Sequence, residues 1–154
     1  MKLSAKARYA LAALAYMARL QPKGPDAPGC EAVTLVRISE RLGISKIYLE
    51  QTFSLLRRAG LVTSVKGSQG GYYLARQPEK MSAMDILSAI DRSLFEETEH
   101  TVQASSPDLD RAMKKAVFTP LDDAVRGALS SVSLADLVRQ AEQEQAESGY
   151  MFFI

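Results

Sequence analysis

Ile38-Ser39-Glu40-Arg41-Leu42-Gly43-Ile44-Ser45-Lys46-Ile47-Tyr48-Leu49-Glu50-Gln51 is the stretch that decides the fold. Thr34 is a favoured N-cap, and Leu35, Ile38 and Leu42 recur at the three- and four-residue spacing of a buried helix face. Gly43 can take the left-handed conformation that ends a helix. Only Ile44 separates it from Ser45, an N-cap residue for a second helix over Lys46–Ala59 that turns Leu49, Phe53 and Leu56 inward. Two short helices joined this tightly through glycine form a helix-turn-helix. After the stop at Gly60, the β-prone runs Leu61–Val65 and Tyr72–Ala75 flank Gly67-Ser68-Gln69-Gly70-Gly71, a hairpin. A glycine-rich hairpin directly behind a helix-turn-helix is a wing.

Upstream, Ser4–Leu20 reads as an amphipathic helix with Ala7, Ala10, Leu11, Leu14, Met17 and Ala18 on one stripe. Lys2, Lys6 and Arg8 ahead of the apolar run Tyr9–Ala18 loosely imitate a secretory signal. The run has a helix period and ends at Arg19, so it is read as a retained first helix. Residues 22–33, rich in Pro and Gly, read as a loop. Downstream, Ser82 opens a short helix to about Asp91. Residues 92–105 show no period and read as a flexible acidic linker. Ser106-Pro107 starts a helix carrying Leu109, Met113, Val117, Leu121, Val125 and Leu129 on one side. Thr119-Pro120 repeats that start signal, so Pro120 either kinks one long helix or begins another. Ser133 caps a final helix to about Glu147. The expected architecture is mainly α with a small β-hairpin wing: a winged helix-turn-helix over 1–80, a connecting helix and acidic linker over 81–105, and dimerisation helices with an apolar tail over 106–154.

Charge divides the same way. Residues 1–80 carry a net +8 and residues 81–154 a net −7. A basic half suits a polyanion, and a separate acidic half does other work. Lys46, Tyr48, Glu50 and Gln51, with Ser45, stand on the N-terminal turns of the second helix, the part of a recognition helix that meets base edges. Lysine can donate to guanine, glutamine can pair with adenine, and glutamate can accept from cytosine. Lys2, Ser4, Lys6, Arg8, Arg57 and Arg58 are placed for the backbone, and Lys66, Gly67 and Ser68 at the wing tip. One such module contacts little DNA, so a homodimer on a pseudo-palindrome is expected, with Leu109 to Leu129 as its seam.

Several segments resemble the Rrf2 family of bacterial winged-helix regulators. They are Met1–Ala10, Ile38–Ser45, Tyr48–Gln51, Leu56–Val62, Gly70–Leu74, Ile86–Asp91 and Leu134–Val138. The resemblance covers nearly the whole chain except residues 22–33 and the tail. It implies a dimeric winged-helix regulator with a long crossing helix between subunits, and by position assigns DNA contacts to Ser45, Tyr48, Glu50, Gln51 and Lys66. The expected function is a DNA-binding transcriptional regulator, read as a repressor with an activator left open. Family members with an iron–sulfur cluster carry three cysteines in the segment matching residues 92–113. This chain has none there, and Lys115 stands at the position of their ligand histidine. The resemblance is therefore to a cluster-free branch, with no cofactor. The usual wing Pro-Gly-Gly-Gly is here Ser68-Gln69-Gly70-Gly71.

The one cysteine, Cys30, excludes an intramolecular disulfide framework and suits a reducing cytoplasm. It sits in a Pro/Gly-rich loop, where a redox-sensing role is weighed against that of an ordinary loop thiol. Glu31 beside it disfavours the thiolate, and the ordinary reading is preferred. His100 beside Glu96, Glu97 and Glu99 lacks a second histidine or cysteine, so no metal site is assigned. The apolar tail Tyr150–Ile154 is too short to span a membrane and is expected to bury against the dimer. No catalytic constellation can be drawn, which excludes an enzyme. A winged-helix protein–protein module is the alternative from another class, a small molecule or protein the possible co-regulator.

Overall fold

The first two helices each begin on a side chain that satisfies a first-turn amide. In the computed structural model, which describes residues 2–68 and 70–152, Ser4 Oγ accepts from Ala7 N–H at 3.1 Å to open α1 (Ala5–Leu20). Thr34 Oγ1 accepts from Arg37 N–H at 3.2 Å to open α2 (Leu35–Leu42). Gly43 closes α2 at φ 68°, returning its N–H to the Ser39 carbonyl at 2.9 Å. Ser39 Oγ also donates to the Ile44 carbonyl at 2.6 Å, which locks the turn into α3 (Lys46–Arg58).

Strands β1 (Val62–Val65) and β2 (Gly71–Leu74) form the antiparallel wing, with Val62 opposite Leu74 and Val65 opposite Gly71. The segment 22–33, expected only as loop, contributes a third rung. Val33 and Tyr72 exchange both backbone hydrogen bonds, at 2.9 and 2.8 Å. A glycine is required where they meet, since a Cβ on Gly71 would lie 2.7 Å from the Val33 carbonyl oxygen. Beneath them Gln21, 2% exposed, donates from Nε2 to the carbonyls of Glu31 and Tyr72 and accepts Leu74 N–H on Oε1 at 2.8 Å. Every polar atom of that buried amide joins the end of α1 to the loop or the wing.

The core gathers Leu14 and Met17 from α1, Ile38 from α2, Leu49, Phe53 and Leu56 from α3, and Leu74 from the wing. Phe53 meets Tyr72 edge-on at 4.8 Å. α4 (Ala83–Ile90) starts from a reciprocal Ser82–Asp85 capping box. α7 (Leu134–Phe152) starts from the matching Ser133–Asp136 pair. The two starts are stitched together by Ala83 N–H to the Val132 carbonyl and Leu134 N–H to the Met81 carbonyl. Leu134 is buried and Leu137 and Val138 pack beside it, so the start of α7 rests on α1. The last two residues of the tail lie outside the described residues.

α5 (Pro107–Met113) and α6 (Thr119–Ser130) form one continuous helix, joined by a π turn over Lys114–Phe118. Thr119 N–H bonds the Lys114 carbonyl five residues back, just before Pro120, which has no N–H to donate. Of the two readings of Pro120, the structure has one long helix passing through it, and no second helix starts there. The acidic linker is also anchored. Asp110, 2% exposed, accepts from Thr101 and Val102 N–H at 2.8 and 2.9 Å and pairs with His100 Nδ1. Thr98 bonds Asp122 through both its N–H and its hydroxyl. The expectation of a flexible stretch over 92–105 fails because single carboxylates on α5 and α6 collect its backbone and side-chain donors, a pattern without sequence periodicity.

Candidate nucleic-acid interface

The first turn of α3 is held out from the body by its own inward residues. Leu49 and Phe53 are fully buried, which rotates Ser45, Lys46, Ile47, Glu50 and Gln51 to the outside. Ile47 is 67% and Tyr48 47% exposed, high for large apolar and aromatic side chains on a helix. Ser45 occupies the N-cap, as expected from sequence, but its side chain makes no capping hydrogen bond, unlike Ser4 and Thr34. Its hydroxyl and the first amides of α3 are thus turned toward solvent at the positive end of the helix dipole, where phosphate oxygens are favoured. Lys46 and Glu50 pair across one turn at 3.8 Å, both more than half exposed. Such a pair is weak and separates readily for other partners.

Tyr48 stands edge-on to Tyr9, ring centres 5.7 Å apart. That contact sets the basic start of α1 beside the recognition turn. Lys2 and Arg8 are exposed there and Lys6 is half-buried. Ser4, grouped with them from sequence, has its hydroxyl committed to capping α1 and to Asp91, at 2.8 and 3.0 Å. On the other flank Arg57 reaches Ser64 of β1 at 3.4 Å, linking α3 to the wing. Lys66, Gly67 and Ser68 are exposed at the tip, and Gly70 N–H closes the turn on the Gly67 carbonyl at 3.0 Å. Recognition turn, α1 start and wing tip are therefore three basic groups carried by one folded unit. Tyr9, Gln21 and Val33 position them, and sequence reading missed all three. Val33-Thr34 was the available signal, a β-branched pair closing the loop, whereas a buried glutamine has no sequence mark.

The remaining candidates separate. Leu109, Val117 and Leu121 are each more than half exposed along α5 and α6, and Met113, Val125 and Leu129 are half-buried. Cys30 is half-buried, and its thiol is pushed up by burial and then by Asp26, not by the neighbouring Glu31 expected from sequence. His100 is engaged with Asp110, which the bond from His100 and two backbone amides hold at about 2. Among the described residues no three His, Cys, Asp or Glu side chains are grouped to hold a metal ion, and no helix is long and apolar enough to cross a membrane.

The family model described as Rrf2, "Iron-dependent Transcriptional regulator", matches residues 3–140. The HTH-type transcriptional regulator IscR of Photorhabdus laumondii is 39% identical over 142 residues, covering 92% of this chain and 82% of that protein. IscR of Escherichia coli K12 is 37% identical over the same length. Among solved structures, T. potens IscR superposes with a TM-score of 0.71 at 34% identity, covering 99% of this chain and 96% of that one. CymR, the global cysteine regulator of B. subtilis, gives 0.68 at 31% identity, with 91% and 98% covered. The match spans the reading turn, the wing and the long helix alike, and the chain belongs to the Rrf2 family of winged-helix, DNA-binding transcriptional regulators, which are not enzymes.

Proposed function

We propose that this regulator is a repressor that binds a pseudo-palindromic operator as a homodimer, with no iron–sulfur cluster. The observation that carries the reading is the uncapped first turn of α3, with Ser45, Lys46 and Gln51 turned outward between the start of α1 and the wing. Ser45, Lys46, Tyr48, Glu50 and Gln51 read the major groove. Lys2, Lys6, Arg8 and Arg57 meet phosphates, and Lys66, Gly67 and Ser68 meet the backbone or minor groove beside it. Ser4 acts indirectly, by fixing the start of α1. The exposed side of α5 and α6, centred on Val117 and Leu121, supplies the seam between subunits.

The family's iron chemistry does not suit this donor set. A cluster takes about four protein ligands, mostly thiolates, whereas each chain holds one cysteine, in the loop between α1 and α2. The segment 92–113 offers His100, whose Nδ1 is already paired with Asp110. The raised thiol of Cys30 likewise does not favour the redox-sensing alternative, because the reactive species is the thiolate. The signal is then a small molecule or a partner protein, and the site of action is the cytoplasm.

Selection of duplex fragments from the source genome by the purified protein tests the reading. A recurrent two-fold element with half-sites about one or two helical turns apart is expected, with affinity falling steeply as salt rises. Recovery of fragments without a shared element, at salt-independent affinity, overturns it.

A further inference from the structure

A second basic site lies away from the reading face. α3 rises about 18 Å from Lys46 to Arg58, so Arg58, grouped from sequence with the backbone contacts, stands at the opposite end of the helix from the recognition turn. There it lines a cleft of about 750 Å³ together with Arg76, which follows β2, and Arg92, on the turn that follows α4. Leu55 and Ala89 add apolar lining, and Ser88 adds a hydroxyl that donates to the Asp85 carbonyl at 3.2 Å. Two carboxylates also line it. Asp85 is already occupied, receiving Ser82 N–H at 2.9 Å and Arg76 at 3.4 Å, and Glu96 is exposed, as are Arg58 and Arg92. Among the described residues Arg58 and Arg92 have no carboxylate within 4.0 Å. Arg58 and Arg92, which line one cleft without acidic partners, are suited to planar, bidentate recognition of carboxylate or phosphate.

We propose that this cleft binds a small organic polyanion, carrying phosphate or several carboxylates, at a site separate from the DNA contacts. Its walls join the parts that must communicate in a regulated protein. Arg58 belongs to the reading helix and Arg76 to the base of the wing. Arg92 belongs to the turn whose Phe95 carbonyl accepts a hydrogen bond from Arg126 of α6. An anion drawing Arg58 toward Arg92 therefore ties the reading helix to the long helix. Double-stranded DNA does not explain the arrangement, because at this end of α3 it is Arg57 that turns to Ser64 of the wing, whereas Arg58 lines the cleft with Arg92.

The test is calorimetric titration of the full-length protein without DNA, using pyrophosphate in one arm and citrate in the other, against chloride matched in ionic strength. Saturable binding is expected in at least one arm, which identifies the preferred headgroup. R58Q with R92Q should weaken it about tenfold or more, as expected for loss of charge-assisted hydrogen bonds. R92K, which keeps the charge and guards against a folding artefact, should weaken it less than R92Q. K46A with K66A on the reading face should leave it unchanged. Absence of saturable binding in both arms overturns the proposal. So does binding that survives R58Q with R92Q, or that is lost instead in K46A with K66A, which would place the anion on the DNA face.

Discussion

Gly43 and Gly71 show how differently two glycines in one motif are constrained. At Gly43 an added Cβ meets open space, so Gly43→Ala carries only the left-handed backbone strain, about 1 kcal/mol. At Gly71 the same methyl runs into the Val33 backbone, so Gly71→Ala must also open the Val33–Tyr72 rung and should cost about 2–3 kcal/mol or more. Chemical denaturation of the two variants checks the order, and a larger loss at Gly43 would contradict it. Gly43 was legible in sequence from its place between two helical periods. The demand on Gly71 comes from a residue 38 positions earlier and was not. The reading residues separate in the same manner. Gln51→Ala should remove about 1–3 kcal/mol of discrimination at one base pair, whereas Lys66→Ala should weaken all duplexes and lower the salt slope by about 1. Titrations over single-base operator variants at several salt concentrations distinguish them.

The long helix is the element that sequence reading placed correctly yet could not shape. Leu109, Met113, Val117, Leu121, Val125 and Leu129 recur every fourth residue. On a regular α-helix that spacing drifts by about 40° a step, roughly 200° over the series, and would wind halfway round the rod. The π turn at Lys114–Phe118 accommodates one extra residue and takes back about 100°. The apolar residues then share a single side, of the width that a buried stripe requires. Val117→Glu with Leu121→Glu places charge on the exposed centre of that side. The expected result is a monomer by light scattering, with operator affinity reduced about a hundredfold through loss of paired engagement. An intact dimer would put the seam elsewhere. The element before it has a pH dependence of known sign. Asp110 is held at about 2, below its ordinary 3.8, so its contribution to stability is complete above pH 4 and is lost as pH falls toward 2. Thermal melts across that interval should show a smaller loss for Asp110→Asn than for the natural chain.

At the scale of the molecule, the basic first half and acidic second half are not two separate bodies. α7, from the acidic half, completes the core against α1, and the Ser82 and Ser133 capping pairs stand side by side to join it. Local grammar such as caps, glycines and helical periods could be read from the chain, and with it the winged helix and the outward first turn of α3. What could not be read depends on distant polar groups meeting: Gln21 under the wing, Asp110 beneath the linker, Ser4 against Asp91. Gln21 and Val33 bracket the excursion between α1 and α2 and clamp both ends of it to β2. Lengthening its middle, around Pro28, then changes only the closure entropy of a surface loop, which grows slowly with length. An insertion there leaves both clamps in place, so the bracket makes this stretch a place where the chain can gain a new docking arm without moving the wing.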